Sequence, residues 1–167
     1  VMEQNDTSIP LLITNYHVLE NAVAGFVELH IAEKGLPSEK SIRIQFNESI
    51  INGNKLGNLD LIAIPLASTL NELKQKGINI FYRTVDQNML PKEEQIEYFA
   101  AIEDITFIGY PIGLYDSVNK LPIIRQGITA TPIWNQFNGE NVFLIDAGVF
   151  PGSSGSPVFI YNHGSYP

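Results

Sequence analysis

The chain has 167 residues, 44% hydrophobic and 17% charged, with no cysteine and a formal net charge of −8. That length and balance provide a core without disulfide staples, exclude thiolate-held metal, and place the chain far from disordered compositions. The excess of acidic residues (18) over Lys+Arg (10) disfavours nucleic acid and anionic membrane surfaces as partners, since both need clustered positive charge.

The N-terminal stretch VMEQNDTSIP has neither a basic n-region nor an apolar h-region, and no apolar run approaches the roughly 20 residues of a membrane helix. Nothing in the sequence therefore assigns a compartment, and as given it reads as soluble. The apolar segments that follow are short and rich in β-branched and aromatic residues: LLITNY (11–16), FVELHIA (26–32), SIRIQF (41–46), LDLIAIPL (59–66), DITFIGY (104–110), LPIIRQGITATPI (121–133), NVFLIDA (141–147) and SPVFIY (156–161). Several alternate polar and apolar residues, with Gly, Asn or Pro between them, which predicts strands in an all-β protein. Two segments predict short helices. STLNELKQKG (68–77) offers Ser68 as N-cap, Leu70 and Leu73 on one face and Gly77 as a stop, and PKEEQIEYF (91–99) starts with proline and glutamates. Both fall between the fourth and fifth strands, so residues 69–103 read as a connector between a first β domain, 1–68, and a second, 104–167.

Three positions draw chemical interest. His17 follows LLITNY at a strand end, where a histidine is either an ordinary turn or core residue or a general base. His30 and His163 lack such a setting. Asp60 precedes a run of apolar residues that draws it toward the interior, where a carboxylate needs a partner, imidazole being one candidate. The stretch GVFPGSSGSPVFI (148–160) carries adjacent serines between glycines, either as a plain turn or as a nucleophile loop. A serine hydroxyl becomes a nucleophile only with an imidazole base held by an acid, and the reaction needs an oxyanion hole. A glycine two residues before the nucleophile lets both backbone N–H groups point at one spot, and Gly152 stands at that offset from Ser154 and not from Ser153. Ser154 is the better candidate.

TNYHVLENA, NLDLIAIPL and PGSSGSPVF, in this order and separated by 43 and 94 residues from His17 to Asp60 to Ser154, resemble the three catalytic blocks of the trypsin-like, chymotrypsin-fold serine peptidases, in the bacterial branch that includes the high-temperature-requirement proteases. FIGYPIGL (107–114) and IIRQGITA (123–130) are similar to the first two strands of that family's second barrel. The resemblance implies two six-stranded antiparallel β-barrels with the active site in the cleft between them. It implies His17 as general base, Asp60 as orienting acid, Ser154 as nucleophile and the N–H groups of Gly152 and Ser154 as oxyanion hole. Peptides or proteins are the implied substrates, with no metal and no cofactor. Asp146 resembles a structural aspartate of the bacterial relatives. Ser153 stands where animal digestive relatives carry an aspartate that pairs with a new N-terminal amine, and Ser156 replaces a second glycine. The family pattern also implies further strands beyond both ends of the chain, so the double barrel is expected to be incomplete here and this form weakly active by itself. A full set of three residues counts against a non-catalytic peptide-binding or sensing module on the same fold. A nucleophile-elbow esterase would need glycine at Ser156 and a serine-first order.

Overall fold

The computed structural model describes residues 9–161, so His163 lies outside the described residues. The chain divides into two compact units, Val1–Thr84 and Val85–Pro167. Most of the regular structure in both is antiparallel β, with a few short helices, and the ladders form two two-stranded sheets and one four-stranded sheet, all open.

In the first unit, strand β1 (Leu11–Thr14) pairs antiparallel with β4 (Ile62–Pro65), from Leu11 opposite Pro65 to Thr14 opposite Ile62. β2 (Ala24–Glu33) and β3 (Leu36–Asn47) form a hairpin closed by Lys34 and Gly35. Both turn residues have positive φ, 52° and 80°, the conformation that matches the twist of the flanking strands. Alternate residues point inward: Ile44 and Phe46 of β3 and Ile62 and Ile64 of β4 are buried, together with Leu66 and Ile51. Leu12, Val27 and Leu29 complete this core from β1 and β2.

Two helices close the unit. α1 (Glu48–Gly53) is a turn the apolar pattern did not reveal; it starts because the Asn47 side chain accepts a hydrogen bond from the Ile50 N–H at 3.0 Å, and it stays because Ile51 is buried. α2 (Ala67–Gln75) is the helix expected at 68–77, with a different start. Buried Leu66 occupies the cap position and Ser68 falls inside the first turn, so Ser68 does not cap it. Its end is as expected: Gly77, at φ 77°, donates to Lys74 O, and Ile78 donates to Leu73 O, the paired bonds of a glycine C-cap. Leu70 and Leu73 pack on the core.

In the second unit, α3 (Glu93–Ile96) is a single turn, much shorter than the helix expected over 91–99. It has Glu93 and Glu94 at its start, and the Gln95 side chain accepts from Lys92 N–H. β5 (Asp104–Gly109), β6 (Ile123–Thr129), β7 (Ile145–Ala147) and β8 (Val158–Phe159) form an antiparallel sheet in the order β7-β6-β5-β8. Ile105 and Phe107 are its buried apolar residues. Buried Thr129 is satisfied on both sides, accepting from Glu103 N–H and donating to Ala101 O. No helix among the described residues is long and apolar enough to cross a membrane.

Candidate active site

The β1–β4 register fixes the corner of the first unit that carries His17 and Asp60. Thr14 pairs with Ile62, so continuing each strand by two residues brings Tyr16 opposite Asp60, and the Tyr16 N–H donates to Asp60 O at 3.1 Å. The chain then turns through a 3-10 segment, Tyr16–Val18, which presents His17 to the Asp60 side chain. His17 Nδ1 lies 2.6 Å from Asp60 Oδ2, and the His17 backbone N–H donates to Asp60 Oδ1 at 2.9 Å. Asn15 adds two bonds from its amide, to Oδ2 at 3.2 Å and to the Asp60 carbonyl at 3.0 Å. Lys55 holds the intervening residue, with Nζ 3.9 Å from the Tyr16 ring centroid.

The sequence expects Asp60 to be drawn partly into the interior, and the structure leaves about half of its side chain in solvent. Its side chain is 51% exposed and that of His17 is 53% exposed. The interior begins two residues later, at Ile62, while Asp60 is held at the strand end by donors from Asn15, Tyr16 and His17. The His17 ring first, then the His17 N–H, and last the Asn15 amide hold the Asp60 carboxyl below its ordinary 3.8. An ionised carboxylate only accepts, so the hydrogen of the short contact sits on His17 Nδ1 and the Nε2 lone pair is the basic position of the ring.

The two serines lie in a corner of the second unit, the connection between β7 and β8, residues 148–157. Gly152 has φ 86°, and a Cβ there would come within 2.7 Å of Tyr110 O and 3.2 Å of Ile112 N. Both the conformation and the space admit glycine alone. The wall it meets is the tight turn Pro111–Gly113 after β5, tied to the loop by Ile112 N–H donating to Pro151 O at 2.6 Å. Ile112 itself has φ 54°, an unusual left-handed conformation for a β-branched residue.

The two serines differ. Ser153 is half-buried and its hydroxyl is fully used: it donates to Phe150 O at 2.6 Å and accepts from Arg125 Nη2 at 2.7 Å and from Phe150 N–H at 3.3 Å. Ser154 is exposed at the loop surface, followed by Gly155 at φ 81°. Ser156, where a second glycine was expected, has its own reason. A Cβ on Gly109 would meet Ser156 Oγ at 1.9 Å, so β5 lacks a side chain where this hydroxyl sits. Asp146, on β7 opposite Ile128, is exposed. His30 lies in the β2–β3 hairpin with Nδ1 2.7 Å from Ser38 O.

Asn15 and Arg125 support these corners, and neither was singled out from the sequence. Both were visible within TNYHVLENA and IIRQGITA, yet their roles depend on partners 45 and 28 residues away. Among the described residues no group of three or more His, Cys, Asp or Glu side chains could hold a metal ion.

Residues 1–165 match the family model described as a trypsin-like peptidase domain. No curated protein matches the chain. No solved structure matches it either.

Proposed function

Because the chain belongs to the trypsin-like peptidase domain family, we propose that it is a serine endopeptidase working through His17, Asp60 and Ser154, of the bacterial branch that includes the high-temperature-requirement proteases. The fold of that reading is a pair of six-stranded barrels, 1–68 and 104–167, joined by the connector 69–103, with peptides or proteins as substrates.

The observation that carries it is the clamp on Asp60, in which a carboxylate held ionised lies 2.6 Å from Nδ1 of His17. That contact fixes the tautomer a general base requires. As Ser154 Oγ bonds to the scissile carbonyl carbon, its proton passes to His17 Nε2 and the carbonyl oxygen becomes an oxyanion facing the N–H groups of Gly152 and Ser154. Collapse breaks the C–N bond, and His17 returns the proton to the departing amine. Water then attacks the acyl-enzyme with His17 again as base, releasing the acid and restoring Ser154. The full hydrogen-bond complement of Ser153 supports Ser154 as the nucleophile, since the Ser153 proton is already donated to Phe150 O.

A fluorophosphonate probe tests the reading. Wild type should become covalently labelled and Ser154→Ala should not, with both folded by circular dichroism. An unlabelled wild type, or equal labelling of both, overturns it.

A further inference from the structure

We infer that Arg125 is a positioning residue of the nucleophile loop, a strut from β6 that holds residues 148–153 in the shape from which Gly152 and Ser154 act; this rests on the peptidase reading above. Arg125 lies mid-strand on β6, opposite Phe107 of β5. Its guanidinium carbon is 4.4 Å from the Phe107 ring centroid and 5.9 Å from that of Phe150, so the plane is seated between the sheet and the loop. From there Nη1 donates to Gly148 O at 2.7 Å and Nη2 to Ser153 Oγ at 2.7 Å.

The two acceptors bracket the loop. Gly148 is the first residue after β7, and Ser153 is the residue before the nucleophile. Ser153 passes the constraint back to Phe150, both as donor to its carbonyl and as acceptor from its N–H. A single planar cation therefore bonds to both ends of the segment that presents Gly152, and its rigid fork sets orientation as well as distance.

Stability alone is a poor account of this arrangement. Arg125 Nε is a buried polar atom with no hydrogen-bond partner, and both bonds of the group end on neutral acceptors of one loop. Holding a half-buried cation with its one buried N–H unsatisfied costs free energy that an apolar side chain at this position would not. What an apolar side chain could not do is hold a glycine-containing loop against collapse or peptide flips. Because the oxyanion donors act on charge that develops only in the transition state, disturbing them lowers kcat and leaves KM nearly unchanged.

The test uses the full chain with Arg125→Met, Arg125→Lys and Ile105→Val, the last a truncation on β5 in the same unit that keeps the strut. Fluorophosphonate labelling rate, kcat and KM on a peptide substrate, thermal midpoint and amide hydrogen exchange over 148–154 are measured for each. Arg125→Met is expected to lose about 10²-fold in kcat, the scale of a displaced oxyanion donor, with KM within about threefold and faster exchange across 148–154. Arg125→Lys, with a point charge in place of a fork, should recover only part of it. Ile105→Val should lower the thermal midpoint without the kcat loss. The inference is overturned if Arg125→Met keeps wild-type exchange over 148–154, or if Ile105→Val reproduces its kcat loss at a comparable midpoint. Failure of the peptidase reading looks different: wild type itself would be unlabelled while Arg125→Met still loosened the loop.

Discussion

The two corners that carry the candidate catalytic groups are built on opposite principles. The His17 corner is electrostatic: one carboxylate, exposed to solvent, gathers donors from Asn15 and His17 at the end of a strand pair. The Ser154 corner is steric: Gly152 sits at positive φ against Tyr110 O, Ser156 fills the space above Gly109, and Arg125 braces the loop from β6. The first can be retuned by changing a charge or the pH. The second responds to a methyl group. A general base needs a tuned proton affinity, which a few hydrogen bonds supply, whereas an oxyanion hole needs donors in fixed places, which only packing supplies.

Several perturbations would break or sharpen that contrast. The largest effect is expected for Ser154→Ala, which should abolish labelling and lower peptide turnover by about 10⁴-fold or more, as for loss of a nucleophile that acts with its base as a unit. Residual turnover near wild type would mean the nucleophile lies elsewhere. Asp60→Asn should keep the shape of its corner and still cost about 10⁴-fold in kcat, because an amide at that place no longer fixes the Nδ1–H tautomer of His17. If kcat barely moves, the clamp on Asp60 is structural.

Gly152→Ala probes the steric corner. The added Cβ meets Tyr110 O at 2.7 Å and the residue must hold φ 86°, so a loss of about 10² in kcat is expected together with about 1–3 kcal/mol of strain in thermal unfolding. An alanine tolerated without either change would show that the loop adapts. Ser153→Ala should be milder, about tenfold, since it removes the acceptor of Arg125 and the donor to Phe150 O while leaving the attacking hydroxyl in place. Equal losses in Ser153→Ala and Ser154→Ala, with folding intact, would reverse the assignment of the two serines.

The smallest effect is a shift in pH. The carboxyl of Asp60 is held below 3.8, so it binds fewer protons folded than unfolded between its lowered value and the ordinary one. Stabilisation from the clamp is therefore complete above the ordinary value and is lost only as pH falls through the lowered one. Asn15→Ala removes the last of the lowering hydrogen bonds, and the Asp60 titration followed by carboxyl NMR should move upward, toward 3.8. An unchanged midpoint would show that the two His17 donors alone set it.

Much of the architecture was legible from local chemistry. β-branched runs punctuated by glycine and proline became β1 to β8 within a few residues of their expected places, and Gly77 ended α2 as its φ requires. The offset of Gly152 from Ser154 drew attention to this glycine for its backbone freedom, and its positive φ is what the structure shows. The Ser68 cap failed because buried Leu66 led directly into the helix, and α1 was missed because its one buried residue, Ile51, leaves no periodic signal.

What the sequence by itself determined, then, was which residue types could carry chemistry and where most strands and turns fall, because those follow from side-chain shape, backbone freedom and alternation along the chain. Only the tertiary structure decided that Asp60 stays exposed while gathering donors from Asn15 and His17, that the hydroxyl of Ser153 is consumed by Phe150 and Arg125, and that Ser156 fits over Gly109. Each of these joins residues 28 to 47 positions apart along the chain, apart from the short Ser153–Phe150 link, and such distances are set by strand register and packing, which no local pattern encodes.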